Sequence, residues 1–414
     1  MEPSDLAHLW DLEAIAQTPL EVRTLAEQTA GLGPRRVACR KLRYTSHDGS
    51  GGPIHIAAQV AIPAAREPLP AVIMGTGDAD AGQDFARRHR VATIVLDRPG
   101  TGESTGPEDL YTNWVHFSDP RESWMWHYIT SALRAVTLAQ TLPEIDPDRI
   151  GITGSSRGGT MAWIANGVDP RLKLSIPVAT GGDIVRALDQ GGWANYIHRD
   201  EEGKPAIPPA FYEFARYYDP RLYCGRQHGG VVLIVGAQDE FFPVLCTETS
   251  ARASAADDFR LLLVANWDHG YFSGDNPQVQ AFDNTREVTR KRRRTVAAAI
   301  AHWLRVTQPL PATPELAVEP LGANLQVRVS VDAELPIRRV RLYWSADSAY
   351  TYRAVTLKRD GEHYLGQLKP SARALPQTAV YAEVEYVRGP FLTSIPWLGP
   401  GFRQVMRPFP EDGG

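Results

Sequence analysis

Short apolar runs alternate with helix-forming stretches through the middle of the chain, and this alternation limits the possible folds more than any other feature. A continuous apolar run bounded by turn residues is typical of a strand buried on both faces. Such strands, alternating with helices, predict an α/β fold with a doubly wound, mostly parallel sheet. The strands are predicted near residues 38–45, 54–62, 70–74, 92–96, 149–153, 173–178, 231–235 and 259–265, with helices over 122–140 and 160–168 among them.

Three other segments predict an N-terminal extension, a cap insertion and a C-terminal domain. Residues 1–36 have apolar side chains at roughly helical spacing and predict an N-terminal helical extension. Residues 37–308 hold the alternating elements, and their irregular aromatic segment 181–228 predicts a cap insertion. Its aromatic side chains suit the lining of a pocket and the core of a subdomain equally well. After a proline-rich linker, residues 309–414 contain short alternating strands, which predict a C-terminal β-sandwich domain of immunoglobulin-like type.

A turn rich in glycine and serine follows the strand predicted near 149–153. It reads Gly-Ser-Ser-Arg-Gly over residues 154–158 and opens a predicted helix. A serine on such a strand-to-helix turn, with small residues two positions away on either side, is typical of a nucleophile elbow. The pattern alone is weak, because glycine and serine are common in turns that carry no chemistry. Ser156 is therefore the candidate nucleophile, and the assignment depends on whether the sequence also supplies a histidine and a carboxylate.

Two later segments supply the partners that a serine nucleophile needs. A histidine must take the proton of the serine, and a carboxylate must orient that histidine. Asp239 follows one predicted strand and His269 follows the next. The chain order Ser, Asp, His is that of α/β-hydrolases. The sequence therefore predicts a catalytic triad of Ser156, Asp239 and His269.

Two neighbouring carboxylates leave the identity of the acid open. Glu240 is adjacent to Asp239 in the sequence, and Asp268 directly precedes His269. A lone carboxylate after a strand is more often a turn residue or a helix cap than a catalytic group. Either neighbour therefore competes with Asp239 for the role.

The oxyanion that forms during acyl transfer needs backbone N–H donors aimed at it. One donor normally belongs to the residue after the nucleophile, which is Arg157 here. The second is expected from the loop after the strand near 70–74, where Gly77 is our choice. A purely structural turn would explain the glycines of this loop equally well.

Composition and charge exclude several classes of function. The formal net charge of -4 and the sequence pI near 6.3 give no electrostatic case for nucleic-acid binding. No apolar run approaches the roughly 18 residues of a membrane span. The glycine-rich segment 97–104 lacks the spacing of a dinucleotide fingerprint, and no cluster of metal ligands is visible. We therefore expect no cofactor and no metal.

Two further features bear on location and on surface charge. Three scattered cysteines and the lack of a visible signal peptide favour a cytoplasmic location, with a processed secreted form left open. The basic run 290–294 lies in a helical stretch predicted over 278–306. Such a run resembles a nuclear-localisation or phosphate patch, but its position in a helical stretch favours a solvated helix face.

The motifs together resemble one family of the α/β-hydrolase superfamily, the PhoPQ-activated pathogenicity-related proteins. The likeness rests on the elbow, on its sequel Val-Asp-Pro-Arg-Leu-Lys at 168–173, on the acid loop at 236–243, on Asn-Trp-Asp-His-Gly at 266–270 and on strand sequences at 339–344 and 379–384. The resemblance implies a serine hydrolase with an α/β-hydrolase fold and leaves its substrate open. The chain departs from the family in having no visible export signal.

The sequence as a whole predicts a cofactor-free serine hydrolase that cleaves a carboxylic ester through an acyl-enzyme intermediate. Its expected partner is a small-molecule or peptide acyl substrate, with no nucleic acid and no membrane span. Peptidase, lactonase and thioesterase activities on the same triad are the alternatives. A catalytically silent protein whose C-terminal domain binds a partner is an alternative of a different class.

Overall fold

The computed structural model describes residues 6, 8–33, 36–47, 53–193, 198–199, 205–254, 258–269, 286–322 and 324–405. The chain divides into two compact units. Unit 1 comprises residues 1–178, 209–231 and 303–306, and unit 2 comprises residues 179–208, 232–302 and 307–414.

The strands are β1 (Arg23–Ala30), β2 (Val37–Ser46), β3 (Ile54–Pro63), β4 (Leu69–Met74), β5 (Ala92–Leu96), β6 (Ile145–Ser155), β7 (Leu172–Val178), β8 (His198–Arg199), β9 (Pro205–Ala206), β10 (Gly230–Gly236), β11 (Phe259–Val264), β12 (Glu315–Leu321), β13 (Asn324–Ser330), β14 (Ile337–Ser345), β15 (Arg353–Thr356), β16 (Lys358–Asp360), β17 (His363–Leu368), β18 (Ala379–Tyr386), β19 (Phe391–Thr393) and β20 (Trp397–Leu398). The helices are α1 (Leu12–Gln17), α2 (Ala79–His89), α3 (Tyr111–Val115), α4 (Trp124–Thr141), α5 (Arg157–Val168), α6 (Ile184–Asp189), α7 (Pro209–Tyr218), α8 (Val244–Ala253) and α9 (Arg286–Ala299). Short 3₁₀ helices span Pro120–Glu122, Pro220–Arg226 and Leu375–Gln377, and a π-helical turn, Ile300–Leu304, continues α9.

The strands of unit 1 lie side by side in the order β1-β2-β3-β5-β4-β6-β7. The pairs from β1 to β5 along this order are antiparallel, whereas β5, β4, β6 and β7 are mutually parallel. Helices α2, α4 and α5 pack against these strands. In the parallel part, β4, β5 and β7 are mostly apolar, and nearly all of their residues are buried, with Lys173 of β7 as the exposed exception. The predicted α/β class with a mostly parallel sheet is therefore confirmed.

Helix α4 is the buried centre of unit 1. Nearly every side chain along it is buried, because the helix is apolar around most of its circumference. One buried charge, Arg134, is satisfied by the carboxyl end of α1: its Nη1 donates to the carbonyls of Ile15 at 2.8 Å and Ala16 at 2.9 Å. A cation at this end also meets the negative end of the helix dipole. The N-terminal segment is thereby fastened to the core.

The predicted N-terminal helical extension is wrong for residues 23–30. The structure has the short helix α1 and then the strand β1, which pairs antiparallel with β2. Nearly all of β1 is exposed, so the strand is held by backbone hydrogen bonds to β2 and not by an apolar face. Helical spacing of leucine and valine could not reveal this partner, because pairing between distant segments overrides local preference. Residues 1–5, 7 and 34–35 lie outside the described residues.

The predicted cap, residues 181–228, does not form one piece. Its first part belongs to unit 2, and residues 209–228 belong to unit 1. Phe211, Phe214, Tyr218 and Tyr223 are buried there, and Trp10 Nε1 donates to the Tyr223 hydroxyl at 2.9 Å. These aromatic side chains are thus core of unit 1, because they pack on aromatic residues of distant segments that the local sequence does not show. Residues 194–197, with Tyr196, and 200–204 lie outside the described part of the chain.

The C-terminal strands form two antiparallel sheets. One has the order β12-β13-β17-β16, and the other has the order β15-β14-β18-β19, with β20 beside β18. Buried side chains of both sheets, among them Val327, Leu342, Leu368 and Val384, form one hydrophobic cluster. The predicted antiparallel β region after the linker is therefore confirmed.

The linker predicted at 308–314 does not separate two compact units, because the C-terminal sheets lie in unit 2 together with most of β10, with β11 and with α9. Side chains fasten this segment to β11. Arg260 Nη2 donates to the carbonyl of Leu310 at 3.1 Å, and the hydroxyl of Thr313 donates to the carbonyl of Phe259 at 2.9 Å. The predicted boundary between residues 37–308 and 309–414 is therefore not a boundary of packing. Proline content predicted the irregular backbone correctly but could not reveal these contacts.

The basic run 290–294 is not simply a solvated helix face. Lys291 is 2% exposed, and its Nζ lies 2.6 Å from Glu383 Oε2 on β18. Arg294 Nη1 lies 3.3 Å from Glu385 Oε1 on the same strand. The prediction is wrong for these residues because carboxylates about ninety positions away pair with them. Residues 278–285 of the predicted helix lie outside the described residues.

Candidate active site

Ser156 stands alone between a strand and a helix. Strand β6 ends at Ser155, α5 begins at Arg157, and Ser156 between them has φ 55° and ψ -119°. A positive φ is costly for a residue with a Cβ, and such strain gathers at functional sites. Neighbouring backbone holds it: Ser156 N donates to the carbonyl of Val178 at 2.9 Å. The geometry is that of a nucleophile elbow.

Two glycines make this turn possible. A Cβ placed on Gly154 would lie 2.4 Å from the carbonyl oxygen of Gly158, and one on Gly158 would lie 2.7 Å from Thr76 Cγ2. Non-bonded carbon atoms ordinarily approach no closer than about 3.5 Å. The small residues two positions on either side of Ser156 are therefore needed for close packing, which is the physical content of the sequence motif.

The loop after β4 lies against the elbow. Ser155 N donates to Thr76 Oγ1 at 3.0 Å, and Gly75 N donates to the carbonyl of Thr153 at 2.9 Å. Gly77 follows with φ 118°, a conformation that favours glycine. The loop predicted to carry the second oxyanion donor is thus fastened beside Ser156 within unit 1. The roles of the Arg157 and Gly77 N–H groups stay predictions.

The Arg157 side chain belongs to a charged and aromatic cluster that sequence reasoning missed. Its Nη1 forms an ion pair with Asp109 Oδ1, and Arg98 Nη1 lies 2.9 Å from Asp109 Oδ2. The guanidinium of Arg157 also lies 4.9 Å from the ring centroid of Trp114. Two arginines thus share one carboxylate beside the elbow. The only sequence feature near this cluster was the glycine-rich loop at 97–104, and it did not indicate that Arg98 pairs with Asp109.

Asp239 and His269 are brought together by two successive loops of unit 2. Asp239 follows β10, His269 follows β11, and Asp239 Oδ2 lies 2.8 Å from His269 Nδ1. The other carboxylate oxygen of Asp239 accepts from the backbone N–H of Phe241 at 2.9 Å and of Phe242 at 2.8 Å. A carboxylate held in this way fixes the imidazole with Nδ1 as the donor and Nε2 as the basic nitrogen. Gly270, part of the predicted motif, lies outside the described residues.

The two competing carboxylates lie elsewhere around the histidine. Glu240 Oε2 accepts from the backbone N–H of His269 at 2.8 Å, so it holds the loop and not the ring. Asp268 is buried, at 1% exposure. Of the candidate acids, Asp239 is the one that the structure shows hydrogen-bonded to the imidazole.

Burial and neighbouring charges shift the pKa of two groups here. Burial alone would lower the pKa of His269, but the charge and hydrogen bond of Asp239, with Glu240 and Asp268, hold it above its ordinary value. Burial, followed by the negative charge of Asp239, raises the pKa of Glu240 to about 8. Glu240 therefore holds its proton to higher pH than an exposed carboxyl does.

The raised pKa of Glu240 predicts a pH-dependent stability. The folded chain binds the Glu240 proton more tightly than the unfolded chain, so this stabilisation is complete below the ordinary value of 4.5 and is lost as pH rises towards 8. Between about pH 5 and about pH 8, the wild type should lose about 2–4 kcal/mol more unfolding free energy than Glu240→Gln. Urea unfolding at several pH values measures this difference. If the free energy of unfolding changed equally with pH in the two proteins, the pKa of Glu240 would not be raised by folding.

The site residues fall in both units. Ser156, Arg157 and Gly77 lie in unit 1, whereas Asp239 and His269 lie in unit 2. Within the described ranges, no group of three or more His, Cys, Asp or Glu side chains is placed to hold a metal ion. Among the same residues, no helix has the length and apolarity that crossing a lipid bilayer requires.

Known proteins similar in sequence include 4-O-methyl-glucuronoyl methylesterases. A family model described as "Glucuronyl esterase, fungi" matches residues 46–190, the range that contains Ser156. A 4-O-methyl-glucuronoyl methylesterase of Podospora anserina is 31% identical over 99 residues, which are 22% of this chain and 20% of that protein. A 4-O-methyl-glucuronoyl methylesterase 1 of Sodiomyces alcalophilus is 32% identical over 85 residues, which are 20% of this chain and 16% of that protein. The chain thus spans about a fifth or less of the length of these curated relatives.

Solved structures of two bacterial esterases have a similar fold. Acetyl xylan esterase 1 from Thermoanaerobacterium sp. has a TM-score of 0.52 and 18% identity, and the likeness covers 66% of this chain and 90% of that one. An acetyl xylan esterase from Paenibacillus sp. R4 has a TM-score of 0.52 and 22% identity, covering 65% of this chain and 90% of that one. Together with the parallel strands and the elbow, these likenesses show that the chain has an α/β fold of the α/β-hydrolase type.

Proposed function

We propose that this protein is a serine hydrolase that cleaves a carboxylic ester. The observation that carries the proposal is the conformation of Ser156, held at φ 55° between β6 and α5. Strain of this kind exposes a serine hydroxyl at the end of a strand and gives the turn no structural benefit. The Asp239–His269 hydrogen bond supports the proposal, because a serine needs an oriented base to react.

In the proposed reaction, Ser156 Oγ attacks the ester carbonyl while His269 Nε2 takes its proton. Asp239 keeps Nδ1–H in place and stabilises the imidazolium. The negative oxygen of the tetrahedral intermediate accepts hydrogen bonds from the N–H groups of Arg157 and Gly77. The intermediate expels the alcohol, which receives the proton from His269, and an acyl-enzyme remains. Water, activated by the same histidine, then releases the acid.

We propose a carbohydrate ester as the substrate class. The family model and the two curated relatives carry glucuronoyl esterase names, and the two similar solved structures are acetyl xylan esterases. These names place the sugar on opposite sides of the ester bond: in the acid for a glucuronoyl ester and in the alcohol for an acetyl xylan. The match over residues 46–190 includes the proposed nucleophile, which favours the sugar acid.

A panel of substrates tests the proposal. We expect hydrolysis of methyl glucuronate, or of acetylated xylo-oligosaccharide, to exceed hydrolysis of a matched amide by about 10³-fold or more in kcat/KM, because the amide needs stronger leaving-group protonation. Release of methanol or acetate is followed by coupled assay, and p-nitrophenyl acetate, butyrate and octanoate rank the acyl pocket. Turnover of the amide alone would replace the esterase proposal with a peptidase.

Finer assignments also remain proposals. The closer likeness to the PhoPQ-activated pathogenicity-related proteins is supported by the motifs at 168–173, 236–243 and 266–270. An immunoglobulin-like type is supported by the two antiparallel C-terminal sheets that share a core. A cytoplasmic location is supported by the three cysteines, which are buried and form no disulfide with one another.

A further inference from the structure

A cavity of about 770 Å³ in unit 2 is lined chiefly by arginine side chains. It lies between helix α9 and strand β14, and its volume is within the range of small-molecule sites. The only carboxylate among its described lining residues is Glu287. The arginines are Arg286, Arg290, Arg293, Arg294, Arg339 and Arg341.

Carboxylates of β18 neutralise only part of this charge. Glu385, with 2% of its side chain exposed, lies within 3.5 Å of four different arginines, two of which are Arg290 at 3.1 Å and Arg339 at 2.9 Å. Glu383 is shared in the same way between Arg341 and Lys291. A carboxylate can balance one positive charge, so among the described residues the shared pairs leave an excess of cations around the cavity. Like charges gathered at this spacing repel one another and reduce stability.

Several guanidinium donors in the cavity have no acceptor. Arg286 and Arg293 are exposed and form no ion pair or hydrogen bond with the described residues. Arg339 Nε is buried and, within the same residues, has no hydrogen-bond partner. A buried donor without an acceptor costs free energy, which a bound anion would recover. The excess of positive charge and the donors without acceptors therefore both favour a negatively charged ligand.

We propose that this arginine cavity binds a small polyanion, a ligand with two or more carboxylate or phosphate groups. The planar guanidinium fork forms paired hydrogen bonds with either group, and several forks around one cavity favour a multivalent ligand over a single ion. A long nucleic acid is disfavoured, because the whole chain has a net charge of -4. Among the described lining residues there is no Ser156, Asp239 or His269, so the proposed ligand site is distinct from the predicted triad.

Calorimetric titration of the full chain tests the proposal with three probes: tripolyphosphate, trigalacturonate and neutral xylotriose. Ionic strength is fixed at about 0.15 M, so that unspecific surface attraction is screened. The test variant is Arg286→Gln with Arg293→Gln, since these side chains hold nothing in place within the described structure. The control is Arg353→Gln with Arg373→Gln, which removes the same charge from exposed positions of unit 2.

Binding of either anion, weakened about tenfold or more in the test variant and less than about twofold in the control, is expected. Stronger binding of tripolyphosphate identifies a phosphate ligand, and stronger binding of trigalacturonate identifies an oligocarboxylate. No binding of either anion would overturn the proposal. Equal weakening in both variants would overturn it too, because the attraction would then be general. Thermal unfolding with each probe gives a second readout, in which a bound anion raises Tm in the wild type and the control variant but much less in the test variant.

Discussion

Replacing Ser156 with alanine is expected to lower kcat for ester hydrolysis by about 10⁴-fold or more while leaving the fold intact. The hydroxyl is the proposed nucleophile, so its removal leaves only binding and oxyanion stabilisation to assist attack by water. Alanine keeps the Cβ and therefore the same strain at φ 55°. Stability should change little. Initial rates on p-nitrophenyl acetate, with Tm as a check of folding, give the result.

Ser155→Ala is the matched control for this substitution. The backbone N–H of Ser155 donates to Thr76 Oγ1, and this hydrogen bond does not depend on the Ser155 side chain. We expect kcat within about threefold of the wild type, in line with a surface change that removes no buried contact. A Ser156→Ala protein with near-normal turnover would remove Ser156 from the mechanism, and an inactive Ser155→Ala protein would show that the loss of activity is not specific to the Ser156 hydroxyl.

Replacing Asp239 with asparagine is expected to lower kcat by about 10⁴-fold. Asparagine can still accept from the N–H groups of Phe241 and Phe242 through its carbonyl oxygen. Its amide NH₂ then faces His269 Nδ1, which must act as acceptor and carry its proton on Nε2. That tautomer cannot take the proton of a serine. Steady-state kinetics across pH should show the loss at every pH at which the wild type is active.

Glu240→Gln is the control that separates the two acidic neighbours. Glutamine keeps a carbonyl oxygen for the backbone N–H of His269, so the loop should be held as before. We expect kcat within about tenfold of the wild type, because Glu240 does not contact the imidazole Nδ1. The reverse outcome, an active Asp239→Asn and an inactive Glu240→Gln, would move the role of the acid to Glu240.

Strands were predicted correctly where a continuous apolar run was enough to determine the structure. The run 231–235 is wholly apolar and 92–96 is apolar except for Thr93, and every residue of both runs is buried, so burial on both faces could be predicted from the residues themselves. Strand β1 is exposed and is held by backbone pairing with β2. No local sequence pattern predicts this pairing. The linker at 308–314 had the composition of a boundary, yet Arg260 fastens it to β11. Contacts between distant segments therefore account for both failures.

The candidate site was predictable to the extent that its geometry is local. The motif around Ser156 encodes its own turn, because Gly154 and Gly158 are the positions where a Cβ would collide. Choosing Asp239 over Glu240 needed the distance to His269 Nδ1, which adjacent sequence positions cannot distinguish. The Arg98–Asp109–Arg157 cluster was missed entirely, since its members are spread over about sixty residues of chain.

Reaction with a fluorophosphonate, followed by mass spectrometry of the digested protein, tests the serine mechanism most directly. The reagent forms a stable phosphonyl ester with a serine that an oriented base has activated. We expect one adduct, on the peptide that contains Ser156, and its absence from Asp239→Asn over the same reaction time. An unlabelled wild-type protein, or an adduct on another residue, would contradict the assignment of Ser156 as nucleophile and favour a binding protein without catalysis.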